Sequence, residues 1–157
     1  MTIGQILALV GAAIAVILAG MGSSKGVGLA GETAAGVSSE NPDVASKLLV
    51  LQLRPATQGI YGFLIAVIIL IRIGVMGGSI VDLTLEQGIY FVLASLPIGI
   101  VGYYSAIRQA KVAAAGMLMT GQRPEMSGRG ITMAVMVETY AVFALLVSFL
   151  MVINIQL

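Results

Sequence analysis

Charged and apolar residues in this chain are sorted into long alternating blocks. Residues 1–24, 55–71 and 87–107 carry no charge, and residues 130–157 carry one, Glu138. A bilayer core ~30 Å thick takes about 20 apolar residues of helix to cross, so each block predicts one spanning helix. Polar and turn-forming residues gather between them at three places. These are Ser38-Ser39-Glu40-Asn41-Pro42-Asp43, Gly77-Gly78-Ser79 through Asp82, and Gly121-Gln122-Arg123-Pro124-Glu125. The pattern predicts an all-α membrane protein with four transmembrane helices and turns near Asn41-Pro42, Gly77 to Asp82 and Arg123-Pro124. The first block lacks a basic segment before it and a clear small-residue cleavage site after it, so it reads as a retained helix rather than a secretory signal.

Composition narrows the function further. The 157 residues are 59% hydrophobic and 10% charged, whereas about a quarter of an ordinary soluble domain is charged. Four spans leave no length for a soluble catalytic domain, a nucleotide-binding domain or a large ectodomain. Net charge is +1 with dispersed cations, which is no footprint for a nucleic-acid partner. With no cysteine and no histidine, disulfides, thiolate catalysis, His-ligated metals and the usual general base are all excluded.

Cation placement predicts orientation. Lys25 and Lys47 flank the first connection; Arg108, Lys111, Arg123 and Arg129 flank the third; the middle connection has Arg72 alone. By the positive-inside rule the first and third connections are cytoplasmic, and both termini and the middle connection lie outside.

The chain also resembles itself. Pro42 falls on Pro124 and Thr57 on Thr139 at an offset of 82, while Gly31 falls on Gly116 at an offset of 85. This predicts two duplicated helical hairpins, residues 1–76 and 77–157, the second with a connection three residues shorter and with the membrane carboxylate. The first and third helices concentrate small residues, among them Gly4, Gly11, Gly20, Gly22, Gly26, Gly28, Gly31 and Gly36 in the first, and Gly99, Gly102, Ala106, Ala110, Ala113 and Gly116 in the third. Small residues let membrane helices approach backbone to backbone. That suits the inner circle of an oligomeric ring, and equally a close pair inside a monomeric bundle. Gly26-Val27-Gly28-Leu29-Ala30-Gly31 spells a dinucleotide fingerprint, but it follows a membrane helix and not a β-strand, so it predicts no nucleotide site.

Glu138 is the candidate functional residue. It lies eight residues past Gly130, ~12 Å into the last helix at 1.5 Å per residue. A carboxylate at that depth costs about 2.5 kcal/mol or more and by default marks an ion path or a paired site. The second helix offers Thr57, Gln58 and, one turn on, Tyr61; the third offers Gln109. Pro55 has no N–H for the Leu51 carbonyl, which predicts a free backbone oxygen nearby. One carboxylate among neutral oxygens makes a neutral site for a hard monovalent cation, whereas a divalent ion would want more charge.

Four segments carry a resemblance to a known family: Lys25 to Glu32 (KGVGLAGE), Pro55 to Phe63 (PATQGIYGF), Gln109 to Gly116 (QAKVAAAG) and Met136 to Tyr140 (MVETY). They resemble the membrane rotor subunit of bacterial V-type ATPases, the duplicated proteolipid of the c-ring, and are most similar to its sodium-transporting members. The resemblance implies a ring of identical copies, helices 1 and 3 inside and 2 and 4 outside, working with a stator membrane subunit, central-stalk subunits and lipid. It implies Na⁺ held by the side chains of Thr57, Gln58, Gln109 and Glu138 and the backbone carbonyl of Arg54, with Tyr61 hydrogen-bonded to Glu138. ATP hydrolysis would occur on other subunits. The sequence departs from the pattern at Arg54, where the sodium-transporting members have an apolar residue. A guanidinium aimed at Glu138 would occupy the cation's place; one turned toward the cytoplasmic boundary would leave the backbone ligand intact. Transport of H⁺ is the alternative, since it needs only Glu138. A small four-helix membrane enzyme would want a buried arginine-rich site, and a structural lipid-packing protein leaves Glu138 without a role.

Overall fold

The computed structural model describes all 157 residues, and they form helices and short connections with no strand. Five α-helices, α1 (Ile3–Glu40), α2 (Ala45–Leu53), α3 (Thr57–Arg72), α4 (Leu85–Gln122) and α5 (Ser127–Asn154), make the four expected spans. α2 and α3 form one span, Pro42–Arg72, jointed by a 3-10 turn at Arg54–Ala56. The joint follows from Pro55, which cannot donate to the helix ladder and forces a tighter local turn.

Helix starts and turns are set by local chemistry. Thr2 caps α1 and Thr84 caps α4, each in a reciprocal capping box with the glutamine three residues on, Gln5 or Gln87. The middle connection turns through Gly74 and Gly78, both at positive φ (82° and 80°) that other residues rarely adopt. Inside α4, Pro97 removes another backbone donor, and the next N–H, that of Ile98, bonds the Ser148 hydroxyl of α5 at 3.1 Å.

α1 and α4 run parallel and in intimate contact. Most buried residues of α1 follow a stripe of small residues from Gly4 through Ala8, Gly11, Ala15, Ala19, Gly22, Gly26 and Ala30 to Ala34, with Gln5 and Val37 the larger side chains buried near its ends. A Cβ at Gly22 would lie 2.6 Å from the Tyr103 carbonyl oxygen, and one at Gly88 2.6 Å from that of Gly4, so backbone meets backbone as the small residues predict. Gly20, Gly28 and Gly36 have nothing within 4 Å and take no part in this pairing. α3 packs antiparallel on α1, with Gly59 N–H donating to Ser23 Oγ at 2.7 Å. α5 packs antiparallel on α4, where Gly116 and Gly130 face each other.

The internal match needs one correction. α1 and α4 have 38 residues each, and the turns that follow, Pro42–Val44 and Pro124–Met126, have three each. The third connection is therefore not shorter than the first, and the Gly31–Gly116 match at 85 gives way to a single offset of 82. Thr2 then falls on Thr84, Gln5 on Gln87 and Ser23 on Ser105. Runs of glycine and alanine look alike under a shift of one helical turn, which is why they mislead where caps and prolines do not.

Two apolar clusters fill the interior. One gathers Ile65, Ile69, Ile73, Phe91 and Ile98 toward the middle connection; the other gathers Val44, Leu48, Leu51, Ala113, Met117 and Ala134 toward the two proline turns. Between them lies a layer of buried polar side chains: Gln58, Ser105, Gln109 and Glu138.

Candidate ion-binding site

Three spans contribute to the polar layer. α3 starts at Thr57, just past the proline joint, so Thr57 and Gln58 occupy its first turn and Tyr61 the second. α4 presents Ser105 and Gln109, one turn apart on one face. α5 presents Glu138, which is 8% exposed, while Gln58 and Gln109 are fully buried.

The side chains meet. Tyr61 donates its hydroxyl to Glu138 Oε1 at 2.7 Å, and Gln109 Nε2 donates to Glu138 Oε2 at 3.2 Å. Gln109 Nε2 also donates to the Ala134 carbonyl at 3.0 Å, and its oxygen accepts from Gln58 Nε2 at 2.8 Å. Gln58 Nε2 reaches Ser105 Oγ as well, at 3.3 Å, and Ser105 donates to the Val137 carbonyl at 3.1 Å. The Thr57 hydroxyl lies 3.0 Å from the Arg54 carbonyl and 3.3 Å from Gln58 Oε1. The six residues expected from the sequence, Arg54, Thr57, Gln58, Tyr61, Gln109 and Glu138, therefore form one connected network.

In three details the network differs from the expectation. The oxygen released by Pro55 is not that of Leu51, because the Arg54 N–H turns back to bond it in the 3-10 geometry. The Arg54 carbonyl likewise receives the Thr57 N–H as well as its hydroxyl. Gln109 shows the carboxylate its NH₂, not its oxygen, since the Ala134 carbonyl can only accept and so takes one of the two amide protons.

The guanidinium of Arg54 does not take the cation's place. Both donors to Glu138 are neutral groups, Tyr61 and Gln109, and the half-buried Arg54 side chain donates to neither carboxylate oxygen. Arg108, next to Gln109, is exposed. It lines a groove of about 620 Å³ between α4 and α5, together with Tyr104, Ser105, Met136 and Tyr140. Ser105 is the one member of the network that the sequence does not single out. Its signal there is position alone, one turn before Gln109 on the same face.

The arrangement is chemically specific. A carboxylate sits between two apolar clusters with neutral donors as its direct partners, and it is linked through Gln109 and Gln58 to the Thr57 hydroxyl and the Arg54 carbonyl. Such a group keeps its charge in a membrane only by pairing with a cation, or sheds the charge by taking up a proton.

Most of the chain is similar to known proteins. The family of the ATP synthase C-subunit matches residues 10–69 and again 92–151. The V-type sodium ATPase subunit K of Enterococcus hirae is 45% identical over 151 residues, 96% of this chain and 93% of that protein. The A-type ATP synthase subunit K of Methanocaldococcus jannaschii is 36% identical over 150 residues, 96% of this chain and 63% of that longer protein.

Proposed function

Since the chain belongs to the ATP synthase C-subunit family, as a non-catalytic rotor ring subunit of an ion-translocating ATPase, we propose that the ion it carries is Na⁺ and that Glu138 holds it. The observation that carries this reading is the Glu138 carboxylate, nearly buried, bonded by neutral donors and joined through Gln109 and Gln58 to the Thr57 and Arg54 oxygens. The relative's name as a sodium ATPase subunit supports the choice of ion.

Translocation follows from charge. A copy takes up Na⁺ at Glu138 from a half-channel in a stator membrane subunit, and the pair, now neutral, crosses the lipid-facing arc as the ring turns. A bare carboxylate could not make that passage. Release occurs where a stator cation displaces Na⁺. Tyr61 holds one carboxylate oxygen in place throughout. Full ligation by Gln109 requires its amide to turn so that the oxygen replaces the NH₂ at Glu138. Without that turn, the ion rests on Glu138, Thr57, Gln58 and the Arg54 carbonyl.

The rest of the reading follows the same line. Two hairpins, residues 1–76 and 77–157, form each copy; α1 and α4 line the inside of the ring and the other spans its outside, with lipid in contact. The connections at Asn41-Pro42 and Arg123-Pro124 face the cytoplasm, toward central-stalk subunits, and both termini face out. H⁺ is the second candidate, because protonation of Glu138 neutralises it equally well, yet it leaves the oxygens of Thr57 and Gln58 without a transport role.

Equilibrium binding of ²²Na⁺ to purified rings tests the proposal. One Na⁺ per chain, competed by protons and absent from Glu138→Gln, is the expected result. Rings that bind no Na⁺ at any pH would overturn it.

A further inference from the structure

Ser105 is buried, 5% exposed, and its hydroxyl touches two groups of opposite kind. The Val137 carbonyl, 3.1 Å away, can only accept, so the single Ser105 proton goes to it. What the Ser105 oxygen has left is its two lone pairs, which only accept, and the group facing it at 3.3 Å must be a donor, the NH₂ of Gln58. The second Gln58 proton goes to Gln109 Oε1 at 2.8 Å. With both protons turned toward α4, Gln58 Oε1 points the other way, to the Thr57 hydroxyl at 3.3 Å.

The direction of this chain is anchored at two carbonyls of α5. Ala134 fixes Gln109, and Val137, acting through Ser105, fixes Gln58. These carbonyls are neighbours on the helix that carries Glu138, so the carboxylate and the polarity of the two amides are set by one element.

We propose that Ser105 is a positioning residue for ion binding: by accepting from Gln58 Nε2 it keeps Gln58 Oε1 presented beside Thr57 as a cation ligand. It touches no ion itself. This rests on the reading of Glu138 as a Na⁺ site.

The test uses intact rings and carbodiimide, which attacks the protonated carboxyl of Glu138 and is slowed by bound Na⁺. Ser105→Ala removes one of two bonds that orient the Gln58 amide. The Na⁺ concentration for half-protection should rise about five- to tenfold, the worth of one such bond. The labelling rate without Na⁺, and its pH profile, should stay as in the wild type, since Ser105 does not touch Glu138. Ser105→Thr keeps the hydroxyl, and its extra methyl has the adjoining groove of about 620 Å³; half-protection should return to within about twofold of wild type. If alanine prevents ring assembly, Ser105→Cys, a weaker donor and acceptor of similar size, carries the same expectation. Unchanged half-protection in Ser105→Ala or Ser105→Cys would overturn the inference. So would a Ser105→Thr ring as weak as the alanine ring, or a Na⁺-free pH profile that moves. Wild-type rings indifferent to Na⁺ would instead overturn the sodium reading, and this inference with it.

Discussion

The Tyr61 hydroxyl and Glu138 Oε1, 77 residues apart in the chain, meet at 2.7 Å across the second and fourth spans. The bond ties the carboxylate to α3, the helix that also brings Thr57 and Gln58. Tyr61→Phe deletes only the hydroxyl. A hydrogen bond to a charged group contributes about 1.5–3 kcal/mol, so Na⁺ half-protection of Glu138 should weaken by about tenfold or more. Rings of this variant should still assemble, and titrating Na⁺ against labelling rate checks both statements.

Arg54 carries a second expectation. Its guanidinium makes no bond to Glu138, whose donors are Tyr61 and Gln109. Arg54→Leu keeps the backbone carbonyl and should shift Na⁺ half-protection by less than about threefold, below the worth of one hydrogen bond to a charged group. A tenfold gain in protection would mean that the guanidinium competes with the ion.

Packing of α1 on α4 gives a third. A Cβ at Gly22 would fall 2.5 Å from the Tyr103 Cα, against backbone that cannot yield cheaply, whereas one at Gly20 meets nothing within 4 Å. Gly22→Ala should lower stability by about 1–3 kcal/mol, the usual cost of overpacking, and Gly20→Ala should not. Thermal unfolding of the two variants, followed by circular dichroism, separates them.

Much of this protein is legible in the sequence, because the bilayer imposes a simple code. Charge-free runs locate the four spans, and Pro42, Pro124 and the Gly77 to Asp82 segment locate the turns. Thr57, Gln58, Tyr61, Gln109 and Glu138 are legible as one connected polar group because polar side chains in apolar helices must find one another. What stays hidden is polarity within the network. Whether Gln109 shows an oxygen or an NH₂ depends on the Ala134 carbonyl, and Gln58 depends on Val137 through Ser105. Backbone carbonyls leave no trace in residue identity. The joint at Pro55 is readable, but not that Arg54 turns back onto the Leu51 oxygen.

Glu138→Gln gives a fourth expectation. The amide preserves volume and can still meet Tyr61 and Gln109, so rings should form. It cannot neutralise a cation, so coupled transport in reconstituted membranes should vanish. Normal pumping by this variant would place the ion elsewhere.

The central claim, that Glu138 holds Na⁺ among neutral oxygens, is met most directly by carbodiimide labelling of Glu138 in wild-type rings at fixed pH with and without added Na⁺. Bound Na⁺ keeps the carboxyl ionised, so labelling should slow as Na⁺ rises, with Li⁺ protecting better than K⁺. Labelling that ignores Na⁺ across the whole pH range where it occurs would contradict the account and make Glu138 a proton site.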